Sequence, residues 1–144
     1  MKPSYLVDSD WVLHYLNGQP AVVAKLQELQ EQGVAISIIS LAELYEGIYH
    51  SRDPEAKGHD LNDFVRGLSV MGIDEEICKV FGRVRGQLRA KKKTVADFDL
   101  LIGSTALQHE LTVLTNNRRH FELIEGLALE SVVIPPRRRS HPPL

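Results

Sequence analysis

Apolar residues follow two different patterns along the chain. The first pattern, short continuous apolar runs, predicts strands. Five segments are rich in Val, Ile and Leu without strict alternation of apolar and polar positions. They cover residues 4–8, 34–39, 68–73, 111–115 and 130–134. Short continuous apolar runs are typical of parallel strands that are covered on both faces. The pattern therefore predicts a central parallel sheet of about five strands.

Between these segments, apolar residues repeat at the three- and four-residue spacing of an amphipathic helix. The repeats are centred on Leu26, Leu44, Leu61, Val84 and Leu100. Strands that alternate with helices favour the α/β class, here a three-layer α/β/α sandwich with right-handed crossovers. The polar residues 49–60 predict a loop or a junction between two helices.

The length of 144 residues predicts one domain, assigned to residues 1–134, followed by a disordered Pro- and Arg-rich tail over residues 135–144. No apolar run approaches the roughly 18 residues that a membrane helix needs. Asp8 and Asp10 interrupt any signal-peptide core, so we expect a cytoplasmic protein without a membrane partner. Cys78 is the single cysteine, which agrees with a reducing compartment and excludes a Cys/His zinc cluster.

The net charge of −2 conceals an uneven distribution of charged residues. Residues 1–78 contain 13 acidic and 5 basic residues, whereas residues 79–144 contain 6 acidic and 12 basic residues. Residues 79–93 alone contain seven basic residues and no acidic one. Such asymmetry favours a polyanionic partner, with a solvated helix face as the alternative.

Polar residues with oxygen side chains occur where the predicted strands end or where the next helix begins. Since ligands of open parallel sheets bind beyond the carboxyl ends of the strands, we expect these residues to meet at one edge. Gathered carboxylates repel each other, and a hard divalent cation such as Mg²⁺ or Mn²⁺ relieves that repulsion and supports phosphoryl chemistry. The candidates are Asp8, Glu43, Asp97, Asp99 and Asn117.

Helix capping is the alternative explanation for several of these acids. Asp10 or Ser9 could cap the helix after the first strand. Residues 40–43 and 94–97 each match the spacing of a capping box, which would make Glu43 and Asp97 structural. For Asp8 and Asp99 the sequence offers no such structural role.

Three motifs, "YLVDSDWVLHYL", "ISIISLAELYEGI" and "ADFDLLIGSTALQHELTVLTNNRRHFELIEGL", together resemble PIN-domain ribonucleases of the VapC type, the toxins of type II toxin–antitoxin systems. They cover most of residues 4–127. The resemblance implies that Asp8, Glu43 and Asp99 are the catalytic metal ligands and that Asp97 supports them. The fourth acidic position of many members falls at Asn117, or at Asn116 in a shifted register, and this amide leaves open whether one metal or two is bound.

The resemblance also implies cleavage of RNA by water with Mg²⁺ or Mn²⁺, leaving a 5′-phosphate and a 3′-hydroxyl. It implies a homodimer and a VapB-type antitoxin that fills the groove. Two groups of basic residues could contact RNA phosphates, and solvent-exposed helix positions are the alternative for both. The candidates are Lys79, Arg83 and Lys93, and Arg118 and Arg119 after the fourth strand.

Two other functions are compatible with parts of the sequence. The stretch "LVDSD" fits a haloacid-dehalogenase-like phosphatase with Asp8 as nucleophile and Asp10 as general acid. That class needs a Lys and an acidic pair after a later strand, where this chain has Asn116 and Asn117. The second alternative is a PIN-like module that binds RNA or a partner without catalysis, which the amide of Asn117 favours.

Overall fold

The predicted parallel sheet is present and has five strands in the order β3-β2-β1-β4-β5. A computed structural model describes residues 2–136, so most of the predicted tail lies outside the described residues. Every pair of neighbouring strands runs parallel, which confirms the prediction. The strands are β1 (Tyr5–Val7), β2 (Val34–Ser37), β3 (Ser69–Met71), β4 (Thr112–Leu114) and β5 (Leu129–Glu130).

Six α-helices connect the strands within the described residues. They are α1 (Ser9–Leu16), α2 (Pro20–Leu29), α3 (Ile38–Tyr49), α4 (Pro54–Val65), α5 (Glu75–Ala90) and α6 (Asp97–His109). None of these helices is long and apolar enough to cross a membrane. The loop or helix junction predicted at residues 49–60 is a junction between α3 and α4, but it is shorter than predicted. Helix α4 begins at Pro54, and Asp53 caps it by accepting a hydrogen bond from the amide of Ala56.

Helices cover both faces of the sheet, which confirms the three-layer sandwich. On one face, Leu6 and Val113 pack in a buried cluster with residues of α5 and α6. On the other face, Val7 and Leu114 pack in a second cluster with residues of α1, α2, α3 and α4. Adjacent residues of one strand thus point into opposite layers, as the pleat of a strand requires.

Gly33 fixes the register of the two strands at the start of the sheet. Its φ of +82° lies in the left-handed region, and a Cβ atom there would lie 2.9 Å from the Cα of Pro3. Its carbonyl accepts hydrogen bonds from the amides of Ser4 and Tyr5, at 3.0 and 3.2 Å. Tyr5 is thereby placed beside Val34, the first residue of β2. Only glycine meets both the conformational and the steric requirement.

The direction of chain progression reverses between β1 and β4. From β1 the chain builds outward through β2 to β3, and it then returns to the other side of β1 with β4 and β5. A crevice opens beyond the carboxyl ends of β1 and β4 at such a reversal. Asp8 directly follows β1 and Asn117 comes shortly after β4, so the topology places both at this crevice.

Candidate active site

An open cleft of about 360 Å³ lies beyond the carboxyl ends of the strands. All five residues that the sequence predicted as metal ligands line it, although they come from four separate segments of the chain. The lining residues are Asp8, Ser9, Glu43, Ala96, Asp97, Phe98, Asp99, Asn117 and His120. The fold therefore gathers the predicted acids at one edge of the sheet.

Asp8 is buried at the floor of the cleft, with 4% of its surface exposed. One carboxylate oxygen accepts a hydrogen bond from the amide of Ser9 at 2.9 Å, and the other accepts one from the Thr115 hydroxyl at 2.8 Å. Burial, followed by the nearby charge of Asp10, raises the pKa of Asp8 to about 7. Asp8 is thus held in a position where its negative charge is costly unless a cation compensates it.

Asp8, and not Asp10, is the N-cap of α1, so the predicted capping role of Asp10 is wrong. Asp10 instead accepts hydrogen bonds from the amides of Trp11 and Asn116, at 2.8 and 2.9 Å. The indole of Trp11 is fully buried and donates to the side-chain oxygen of Asn116 at 3.0 Å. These contacts, which we call the rim brace, join the first turn of α1 to the segment that follows β4.

Glu43 does not belong to a capping box. The N-cap of α3 is Ser37, whose hydroxyl accepts a hydrogen bond from the amide of Ile39, so Glu43 lies one turn further into the helix than expected. Its Oε1 atom is buried and has no hydrogen-bond partner. Burial raises the pKa of Glu43, and the charge of Asp99 raises it further. A buried carboxylate oxygen without a donor is costly unless a cation or water contacts it.

Asp97 is held by a basic residue that sequence reasoning had not singled out. The guanidinium of Arg85 on α5 pairs with the Asp97 carboxylate and also donates to the carbonyl of Val95 at 2.9 Å. The N-cap of α6 is Ala96, so the capping box predicted at residues 94–97 is wrong. Because Arg85 already compensates its charge, Asp97 has less need of a cation than its neighbours.

Asp99 lies in the first turn of α6, and its side chain is 16% exposed. Burial raises the pKa of Asp99, while the nearby imidazole of His120 lowers it. The Nδ1 atom of His120 lies 3.4 Å from a carboxylate oxygen of Asp99. Sequence reasoning assigned no chemistry to His120, because its pairing with Asp99 depends on how the turn after β4 packs beside α6.

Asn117 faces the cleft, and Asn116 does not. The side chain of Asn116 donates to the carbonyl of Val132 and accepts from the amide of the same residue, both at 3.0 Å. Asn117 lines the cleft, and its amide donates to the Thr115 hydroxyl at 3.0 Å. Asn117 therefore adds an uncharged amide side chain to the lining of the cleft.

The side chains in the cleft are of the type that binds a hard divalent cation, although they are not arranged around a common point. Within residues 2–136, no three His, Cys, Asp or Glu side chains are placed so that they could hold a metal ion together. The cleft nevertheless contains the carboxylates of four acids, including the unpartnered Oε1 of Glu43, together with the side chain of Asn117. Such donors suit Mg²⁺ or Mn²⁺, and octahedral coordination leaves room for water ligands.

None of the five predicted RNA-binding residues lines the cleft. Lys79 and Arg83 are exposed on α5, where Lys79 lies 3.2 Å from Glu76. Lys93 lies beyond the end of α5, so the basic segment is only partly helical. Arg118 and Arg119 are exposed in a 3₁₀ turn that ends at the cleft residue His120, and Arg118 donates to the Ser131 hydroxyl at 3.0 Å.

Comparison with known proteins identifies the class of fold and site. The PIN domain family model matches residues 5–127. Ribonuclease VapC2 of Rickettsia felis is 30% identical over 129 residues, covering 88% of this chain and 96% of the relative. The Shigella flexneri protein named as a tRNA(fMet)-specific endonuclease VapC is 29% identical over 126 residues, covering 88% of this chain and 96% of that protein.

A solved structure agrees with these relatives. The crystal structure of VapBC2 from Rickettsia felis bound to a DNA fragment from its promoter contains a chain that superposes with a TM-score of 0.83 and 29% identity, covering 88% of this chain and 97% of that one. The chain therefore belongs to the PIN-domain family and, within it, to the VapC ribonucleases. This membership, together with the backbone bonds that occupy both Asp10 oxygens, excludes the phosphatase alternative.

Proposed function

We propose that this chain is the toxin of a type II toxin–antitoxin system and hydrolyses RNA with a divalent cation held in the carboxylate cleft. The observation that carries this proposal is the gathering of Asp8, Glu43 and Asp99 in one cleft, where an oxygen of Glu43 is buried without a partner. We assign catalysis to residues 1–134. These three acids are the catalytic ligands, and Asp97 and Asn117 support them.

The roles of the chain's own residues follow from their contacts. Ser9 and Thr115 fix both oxygens of Asp8, so this carboxylate keeps its orientation whether or not a cation is present. Arg85 holds Asp97 at the start of α6 and so positions the turn that carries Asp99. When bound, Mg²⁺ or Mn²⁺ supplies an activated water and offsets the charge of the scissile phosphate. We expect products with a 5′-phosphate and a 3′-hydroxyl.

We further propose a VapB-type antitoxin as partner, a homodimeric toxin and a cytoplasmic location. Support for the antitoxin comes from the solved VapBC complexes, whose toxin chains match this fold along most of their length. Initiator tRNA is the first substrate to test, because the Shigella relative is named for its cleavage. A structured or single-stranded RNA of another kind would be revealed by mapping ends on total RNA.

Cation dependence is the direct test of this function. Antitoxin-free protein should cleave initiator tRNA or sites in total RNA with Mg²⁺ or Mn²⁺ and should lose this activity in EDTA, because the carboxylates then repel the phosphate. Sequencing of the fragment ends should show 5′-phosphates. Undiminished cleavage in EDTA would contradict the proposal, whereas RNA binding without cleavage in Mn²⁺ would instead support the non-catalytic module.

The basic residues of α5 and its following loop provide a separate test of RNA contact. Replacing Lys79, Arg83 and Lys93 together by Ala should weaken RNA binding about tenfold near 0.1 M salt, because up to three phosphate contacts are lost. The slope of log affinity against log salt should become shallower by about 2. Fluorescence anisotropy of a labelled RNA in EDTA measures both quantities without cleavage.

A matched variant shows whether the position of these charges matters. It removes three positive charges outside α5 and its following loop, at Lys2, Arg52 and Arg66. Affinity should then change much less, since only the general field of the protein is altered. Equal losses in both triple variants would mean that net charge alone governs binding, and no loss in either would remove α5 from the RNA site.

A further inference from the structure

A large aromatic side chain lies exposed at the edge of the carboxylate cleft. Phe98 is 48% exposed and lies in the first turn of α6, directly between Asp97 and Asp99. It lines the cleft and also a second, more open hollow that it shares with Glu43, Glu46, Gly47 and His50. The ring therefore borders both parts of a continuous depression around Glu43.

The fold has little use for a Phe in this position. Phe98 belongs to neither of the two buried clusters that hold the sheet and helices together. The hollow beside it is unfilled, since a Cβ atom added at Gly47 would meet nothing within 4 Å. Helix α6 does not need a Phe at this position in order to form, because the two acids in its first turn already stabilise the start of the helix. A contact outside this chain explains the ring better than packing does.

The charges around the ring restrict what that contact can be. The depression is lined by acids, and the basic residues proposed to bind RNA lie elsewhere. RNA phosphates are therefore repelled near the scissile bond except where a cation compensates them. Stacking of a base on an aromatic ring holds RNA without any positive charge, and it accepts every base because each has a π face.

We propose that Phe98 is a positioning residue on which a nucleobase next to the scissile phosphate stacks. The proposal rests on the proposed function, because it assumes that the phosphate is cleaved beside Asp99. A base held on this ring fixes the adjacent phosphate over the carboxylates and limits the freedom of the strand. The hollow beside Gly47 leaves space for that base.

The test uses a fluorescein-labelled 20-nucleotide RNA that spans one cleavage site mapped with the wild-type protein. F98A and F98L should lower kcat/KM about 10-fold to 100-fold, whereas F98Y and F98W should stay within about threefold of wild type. Leu keeps an apolar side chain without a π face, so F98L separates stacking from simple apolar contact. L123A serves as the control, since Leu123 is also apolar and 42% exposed but does not line the cleft.

A second RNA, abasic at a nucleotide that flanks the cleavage site, shows whether the ring and the base act together. The wild-type protein should cleave the abasic RNA about tenfold more slowly, and F98A should show no further loss on it. The rise in melting temperature that Mn²⁺ causes should be the same in F98A and wild type, which shows that cation binding is intact.

Three results would overturn the inference. The first is that F98A cleaves the intact RNA at the wild-type rate. The second is that F98A cleaves the abasic RNA still more slowly than the wild-type protein does, which would mean that the ring and the base act independently. The third is loss of dimerisation or of antitoxin binding in F98A with normal RNA cleavage, which would make the ring a protein contact. A wild-type protein that cuts no RNA overturns the proposed function and this inference with it.

Discussion

Replacement of Asp99 by Asn is expected to lower RNA cleavage at least about a thousandfold and to relieve the growth arrest caused by the toxin. The change removes a negative charge from the cleft while keeping the size of the side chain. Because burial raises the pKa of Asp99, its charge does not stabilise the metal-free fold, and D99N should keep or slightly raise the melting temperature. Cleavage assays, colony counts after induction and thermal unfolding measure the three effects.

Asp97 offers a matched control in the same turn of α6. Its carboxylate is 80% exposed and pairs with Arg85, so D97N should reduce cleavage about tenfold or less by loosening that contact. Equal losses in D97N and D99N would mean that the turn, rather than the charge of Asp99, is what matters. Full activity of D99N would remove Asp99 from the catalytic residues.

Replacement of Asp8 by Asn is expected to stabilise the metal-free protein by about 2–4 kcal/mol at pH 8. The pKa of Asp8 is about 7 in the folded protein and 3.8 in the reference state, so folding favours the protonated form. The stability due to this group is complete below about pH 4 and is lost as the pH rises through about 7. Asn can still accept a hydrogen bond from the amide of Ser9 and contact the Thr115 hydroxyl.

Urea unfolding in EDTA at several pH values tests this expectation. The difference between D8N and wild type should be large at pH 8 and should shrink toward zero near pH 4, where the wild-type carboxyl is protonated. Mn²⁺ should raise the stability of the wild type at pH 8 and that of D8N much less, because only the former offers a charged ligand. Loss of stability in D8N at every pH would show that Asp8 serves chiefly as a helix cap.

The order of strands and helices could be predicted because it depends on local spacing. Apolar runs and three- or four-residue repeats identified four strands and the core of five helices. The fifth strand was predicted at residues 130–134 but lies at Leu129–Glu130, so that prediction overlaps it at one residue only. The start of α4 was missed because residues 49–60 are polar, although Asp53 followed by Pro54 is an ordinary helix start. Both capping boxes were assigned wrongly. The motif at residues 40–43 begins three residues after the N-cap Ser37, and the motif at residues 94–97 begins two residues before the N-cap Ala96.

The candidate site was predictable only in part. Strand ends and helix starts placed the acids and Asn117 at one edge, and the structure brings them into one cleft. The pairs Arg85–Asp97 and His120–Asp99 could not be foreseen, because each depends on how two distant segments lie side by side. For the same reason, the charge of the basic segment did not reveal that Arg85 pairs with the first residue of α6.

The rim brace has a bearing on how such a toxin can be silenced. Asp10, Trp11 and Asn116 join the two sides of the crevice through hydrogen bonds that need no ion. The first turn of α1 and the turn after β4 are therefore held together by the chain's own bonds. We expect an inhibitor of this cleft to act by covering its opening or by neutralising its charge.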